Sequence, residues 1–131
     1  MTVPPEAEAA LQREPLMAHL ATSVDDRPHV APVWFHYADG VVEVLTGGRK
    51  LANVRRNPLV ALSVQADDEG VAAWRVTMRG TATVVDEEDE IRAAMRRVYG
   101  RYPDGDPDGG EYGDNALVRI SVGSASFEQY E

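Results

Sequence analysis

From Val71 to Asp86 the chain reads VAAWRVTMRGTATVVD. Trp74, Val76, Met78, Gly80, Ala82 and Val84 point one way, and Arg75, Thr77, Arg79, Thr81 and Thr83 the other. A period of two predicts a half-buried strand. The next stretch, DEEDEIRAAMRRVYGRYP, changes period and sets Ile91, Ala94, Met95, Val98 and Tyr99 on one helical face, acids first and arginines later, as the helix dipole favours. Asp86 is the expected N-cap and Gly100 the expected stop. Upstream, LMAHLATS, HVAPVWFHY and VVEVLT read as three strands separated by the turn signals VDDRP and ADG, the last two forming a hairpin. LVALSVQA, followed by the turn DDEG, is another strand, and NALVRISV and SASFEQY read as the final two. PPEAEAALQREP and GRKLANVRRNP read as short helices, the second ended by Asn57-Pro58. Six or seven strands joined by short turns are too close together for parallel crossovers. They predict a mainly β fold, an antiparallel barrel with short peripheral helices.

At 131 residues and 44% hydrophobic content, the chain suits one domain, residues 1–131, with an N-terminal helix in 1–15 and an acidic loop at 103–114. There is no cysteine, so disulfides and thiol chemistry are excluded. The net charge of -9 excludes a nucleic-acid backbone or an anionic membrane surface as partner. Twelve of the thirteen cationic residues are arginine, and acids are spread along the whole chain, a halophilic type of balance suited to concentrated salt. The N-terminal MTVPPEAEAALQREP has neither the basic start nor the apolar run of a signal peptide, so a cytoplasmic location is expected.

Three groups of residues invite a chemical reading. The loop DGDPDGGEYGD places Asp104, Asp106, Asp108 and Gly109 like the opening of a calcium loop. However, Asn115 stands where the closing glutamate belongs and Pro107 interrupts, so a solvated surface loop is expected. His19, His29 and His36 are read as separate polar or partly buried residues, because His29 and His36 lie an odd number apart on one strand; no metal site is expected. Trp34 and Trp74 are read as core or dimer-interface residues. The stretch TGGRK differs, because several features converge in it. Thr46 ends a strand, Gly47 and Gly48 permit close approach, and Arg49 and the chain's one lysine, Lys50, open a helix whose free N–H groups point outward. Such a group can bind a phosphate monoester. It is also compatible with an ordinary strand-to-helix turn carrying surface charges. The spacing of a nucleoside triphosphate loop is absent.

Over roughly residues 15 to 130, APVWFHY, VEVLTGGRKLANVRRNPLVAL, VTMRGTATVVDEEDE and EIRAAMRRVYGRY occur in an order and spacing that resemble the FMN-binding split-barrel proteins related to pyridoxamine 5′-phosphate oxidase. That resemblance implies a six-stranded antiparallel split β-barrel and a homodimer with two flavins in grooves between the subunits. It implies phosphate contacts from Thr46, Arg49 and Lys50, a ring lined by Pro32, Val33 and Trp34, and a polar contact from Arg75. The Gly47-Gly48 turn is shorter than in the true oxidase, the C-terminal SFEQYE lacks that enzyme's closing tryptophan and arginine, and no pattern for holding pyridoxamine phosphate is found around YGRYPDGDPDGG. The implied activity is therefore that of an FMN-dependent oxidoreductase of unassigned small-molecule substrate, supplied by a reduced nicotinamide donor, with no catalytic side chain assigned. The alternatives are a reductase using the 8-hydroxy-5-deazaflavin coenzyme, whose acidic tail Arg55 and Arg56 would meet, and a non-catalytic flavin-binding protein.

Overall fold

The computed structural model describes residues 2–108 and 115–130. In chain order it comprises α1 (Pro5–Arg13), β1 (Ala18–Val24), β2 (Arg27–Val33), β3 (His36–Ala38), β4 (Val41–Thr46), α2 (Gly48–Arg56), β5 (Leu59–Asp68), β6 (Val71–Val85), α3 (Glu88–Tyr99) and β7 (Ala116–Gln129). The strands form one sheet in the order β2-β1-β5-β6-β7-β4-β3, and every pairing is antiparallel. The expected mainly β, antiparallel architecture is what the chain adopts.

Three of the pairings are tight hairpins built the same way. Asp25-Asp26, Asp39-Gly40 and Glu69-Gly70 each place two consecutive residues at positive φ between paired strands, the backbone of a two-residue turn whose twist matches the sheet. The connection between β2 and β3 shows that the sheet is rolled. These strands occupy opposite ends of the sheet order, yet only Trp34 and Phe35 separate them. Three Cα steps reach at most about 11 Å, whereas six inter-strand spacings in a flat sheet span about 29 Å. The two edges must therefore come together, and the barrel is split along that line.

The same closure corrects the sequence reading of HVAPVWFHY as one strand. The chain leaves the sheet at Trp34 and Phe35 to pass from one edge to the other, so β2 and β3 are separate and β4 pairs with β3 alone from that segment; the strands number seven, within the six or seven read from the residues and one more than the six the resemblance implies. His29 and His36 consequently lie on different strands, and the odd-spacing argument no longer applies to them. The two expected final strands are one, β7. It follows the long strand β6 for nearly its whole length, with a bulge where Gly123 has no partner between Val122, opposite Gly80, and Ser124, opposite Arg79. At α3 the N-cap is Glu87 rather than Asp86; the Asp86 carboxylate is taken by Arg55, 3.0 Å away. Gly100 is the C-cap as expected, its amide donating to the Arg96 carbonyl.

Inside the barrel, Trp74, Val76, Met78 and Ala82 of β6 are buried together with Leu20, Phe35, Tyr37, Leu62 and Ile120, and α1 closes one end with Ala7, Ala10 and Leu11. A smaller cluster of Ile91, Ala94, Met95 and Leu117 seats α3 on the outer face of β4 and β7, so the C-terminal end of α3 comes to lie beside Leu45. Trp74 is a core residue, 6.5 Å from Phe127. Among the described residues, no helix is long and apolar enough to cross a membrane.

At the bulge, a Cβ added to Gly80 would lie 2.5 Å from the Ser121 carbonyl oxygen, a backbone atom with little freedom to move. Gly80→Ala is expected to cost about 2 kcal/mol, the scale of core overpacking. Urea denaturation would show this as a lower midpoint at unchanged slope.

Candidate flavin-phosphate site

The start of α2 is built differently from the other two helices described. None of the three has a side-chain cap, but α1 carries Glu6 and Glu8 in its first turn and α3 carries Glu88, Asp89 and Glu90, whereas α2 has no acid there. Thr46 ends β4, Gly47 is extended, and Gly48 turns into the helix at φ +61 with open space where a Cβ would stand. The uncompensated positive end of the helix is then extended by Arg49 and Lys50, neither of which has a carboxylate partner among the described residues. Three helical N–H groups, a hydroxyl-bearing strand end and an unpaired ammonium form a donor set that fits a phosphate.

This helix start opens onto a cleft of about 570 Å³. One wall is Pro32, Val33 and Trp34, the end of β2 and the first residue beyond it. The floor is Leu45, Thr46, Gly47 and Gly48, and Lys50, Tyr99 and Asn115 complete the rim. Trp34 is half-buried; its ring stacks on Tyr102 at 4.5 Å with the planes 5° apart and meets Tyr99 edge-on at 5.9 Å. Burial pushes the Tyr99 phenol above its ordinary pKa, so at neutral pH it offers the cleft an O–H donor.

Of the residues expected at the site, Pro32, Val33, Trp34, Thr46 and Lys50 share this cleft. Arg49 faces a second depression of about 250 Å³ beside it, with Arg27, His29, Asn53 and Arg56; there Arg56 lies 3.3 Å from Asp25, and the His29 Nδ1 is buried without a hydrogen-bond partner. Arg75 lines neither. It pairs with Glu128 at 2.8 Å and lies over the Tyr130 ring. Arg55 points to Asp86. Sequence reasoning did not place Tyr99 or Asn115 here. Tyr99 carried only the periodicity of a core-facing helix residue, and Asn115 no signal at all. Of the acidic loop, Asp108 stands 3.8 Å from Arg96 and donates its amide to Asp106, while residues 109–114 lie outside those described.

On the far side of β4 from the barrel core, Glu43 is buried and holds a network the sequence did not reveal. Arg97 grips its carboxylate through Nε and Nη2 at 2.6 and 2.8 Å, Arg119 Nε donates at 3.1 Å, and His36 Nδ1 is 3.4 Å away. Burial alone would raise the Glu43 pKa, but the two arginines outweigh it and hold the carboxyl below its ordinary value. For His36, burial outweighs the pull of Glu43 and lowers the pKa.

Residues 5–129 match the protein family described as pyridoxamine 5′-phosphate oxidase. The chain belongs to that family. No curated protein matches it. Among solved structures, this member of the oxidase family is similar to an F420 reductase at 27% identity, over 94% of this chain and 98% of the other, with a TM-score of 0.74. It is also similar to a FAD-binding protein from Mesorhizobium loti, at 18% identity over 100% and 98% of the two chains, TM-score 0.75. A FAD-binding protein from Mycobacterium smegmatis matches at 21% identity over 98% of each, TM-score 0.68. At those lower identities the likeness is one of fold. The oxidase family thus includes the split-barrel shape described above.

Proposed function

We propose that the protein is an FMN-dependent oxidoreductase that works as a homodimer on a small-molecule substrate, with a reduced nicotinamide as donor. The observation that carries this reading is the cleft itself, in which an uncapped, cationic helix start adjoins a flat wall of Pro32, Val33 and Trp34. A bound flavin supplies the redox chemistry, accepting and passing on a hydride or electrons. The chain's residues bind and orient. Lys50 and the first N–H groups of α2 neutralise the phosphate, Thr46 adds a hydroxyl, and the Pro32–Trp34 wall excludes water from one side of the ring. Tyr99 donates a hydrogen bond into the cleft. No side chain is needed as nucleophile or strong base.

The dimer reading rests on the outer sheet face. Pro32 pairs across β1 with His19, and on the same face follow Ser63 and Thr77; one step along the strands lie Ala21, Ala61 and Arg79. Of these, Ala21, Ala61 and Arg79 line an apolar groove of about 400 Å³ together with Pro28 and Leu59, which is 65% exposed. A second copy on this face would cover the groove and close the open side of the cleft at Pro32. Ala61→Arg is expected to convert a particle of twice the 14.3 kDa chain mass into one of that mass, read by light scattering, and to weaken flavin retention with it.

A second reading, a reductase using the 8-hydroxy-5-deazaflavin coenzyme, is favoured by the 27% identity to the F420 reductase and by the second depression. Arg27, Arg49 and Arg56 there would meet an acidic tail running on from the phosphate. The absorption spectrum of the protein as purified separates the readings. A flavin spectrum bleached by NADH or NADPH supports the first, and a deazaflavin spectrum supports the second. Bound flavin that no nicotinamide reduces leaves a binding protein, and a colourless protein that takes up neither cofactor contradicts all three.

A further inference from the structure

Where the chain leaves the sheet between β2 and β3, the backbone of Phe35 loses its strand partners, and side chains from the end of α3 replace them. The Phe35 N–H donates to the Tyr102 hydroxyl at 3.0 Å, and the Phe35 carbonyl accepts from Arg101 Nη1 at 2.6 Å. The same two side chains reach further. Tyr102 donates its O–H to the Leu16 carbonyl at 2.8 Å, and Arg101 Nη2 donates to the carbonyls of Leu11 and Glu14, at 2.9 and 2.8 Å, at the carbonyl-rich end of α1. The Arg101 guanidinium also lies 4.9 Å from the Phe35 ring centre. Among the described residues its hydrogen bonds all go to main-chain oxygens, an uncommon commitment for a half-buried guanidinium, and it fixes three segments far apart in sequence.

Trp34 is the residue held between these contacts. Its neighbour Phe35 is pinned at both backbone groups, and its indole is stacked on the ring of Tyr102, whose hydroxyl is one of the pins. The indole cannot turn without breaking the stack, and the main chain cannot slide without breaking hydrogen bonds that include one charged donor. We propose that Arg101 and Tyr102 are positioning residues that set the orientation and exposure of Trp34 in the cleft, and through it the affinity for the flavin ring; the second half of this statement rests on the flavin reading above. Neither residue lines the cleft.

The test uses the full chain with Trp74→Phe, which leaves Trp34 as its sole tryptophan. In the cofactor-free protein, Tyr102→Phe keeps the ring and removes the hydroxyl, while Tyr102→Leu removes both. The expected result is a red-shifted Trp34 emission and a higher acrylamide quenching constant in the first and more so in the second. In the reciprocal Trp34→Phe protein the emission of Trp74 should stay unchanged, which a general loosening of the barrel would not allow. Titrated with FMN, Tyr102→Phe should bind about fivefold more weakly, the equivalent of one lost hydrogen bond. The same substitution placed on Trp34→Ala should have almost no further effect. Should Tyr102→Leu fail to fold, Tyr102→Phe decides. Unchanged emission and quenching in Tyr102→Phe, or equal effects on FMN binding with and without Trp34, would overturn the proposal. If the parent protein takes up no FMN, the flavin reading fails, and the fluorescence of the cofactor-free protein still decides the positioning of Trp34.

Discussion

Glu43→Ala should destabilise the protein by about 3 kcal/mol, at the lower end of the range for removing one partner of a buried ion pair. The carboxylate is 7% exposed and receives hydrogen bonds from Arg97 and Arg119, so its removal strands the Arg97 guanidinium and leaves Arg119 with Glu90 alone, 3.4 Å away. Those groups are 37% and 32% exposed, and water recovers part of the loss; this sets the value below that of a fully buried triad. Glu43→Gln should fall between the wild type and Glu43→Ala, because the amide retains one acceptor but no charge. The pH dependence has a definite sign. The folded pKa of Glu43 is lowered, so its contribution is complete above the ordinary glutamate range and is lost as the pH falls through the lowered value. The folded pKa of His36 is lowered too, so stability is also lost as the pH falls below the ordinary histidine range, because the unfolded chain takes up that proton first. Urea midpoints of the wild type should therefore fall in two stages on acidification. In Glu43→Ala the stage in the carboxylate range should shrink. Equal acid sensitivity of the two proteins would contradict the role given to this network.

Lys50→Glu is expected to weaken FMN binding by about 3 kcal/mol, or more than a hundredfold, and Lys50→Ala by about 1–3 kcal/mol, the scale for losing a charge-assisted hydrogen bond. Reversal has the larger effect because α2 has no first-turn acid and no cap. A carboxylate at position 50 would itself satisfy the helix end that the phosphate is meant to occupy. For the same reason Lys50→Glu should leave the fold intact or slightly stabilise it, which separates lost binding from lost structure. Arg49→Ala should cost less than Lys50→Ala for FMN, since Arg49 faces the neighbouring depression. For a deazaflavin coenzyme with an acidic tail the order should reverse.

Much of this was legible in the sequence, for reasons that can be traced to single residues. The hairpins could be read because Asp25, Asp26, Asp39, Gly40 and Gly70 are residue types that tolerate positive φ; Glu69, which is not, is carried into it by the turn. The alternation from Trp74 to Ala82 survives as buried and exposed faces of β6 because a barrel strand has one solvent side and one core side. TGGRK could be read because the chemistry of a helix start is local. What escaped notice depends on partners distant in sequence. HVAPVWFHY is one unbroken apolar, β-favouring run, and its division at Trp34 and Phe35 is imposed by barrel closure and by side chains 66 and 67 residues away. Glu43 sits in VVEVLT where a solvent-facing residue belongs, and only the packing of α3 onto that face turns it into a buried carboxylate. Asp86 is a sound N-cap by type but is claimed by Arg55 from another helix. Arg49 and Lys50 were expected to close on one anion. Consecutive helical residues project about 100° apart, and this places them over adjoining depressions.

An equilibrium titration of the cofactor-free protein with FMN, followed by flavin fluorescence in parallel for the wild type and Lys50→Glu, tests the central claim most directly. The wild type is expected to bind one flavin per chain saturably, and the folded variant to lose more than about a hundredfold in affinity. Binding of equal strength by both proteins, or no binding by the wild type, would contradict the claim.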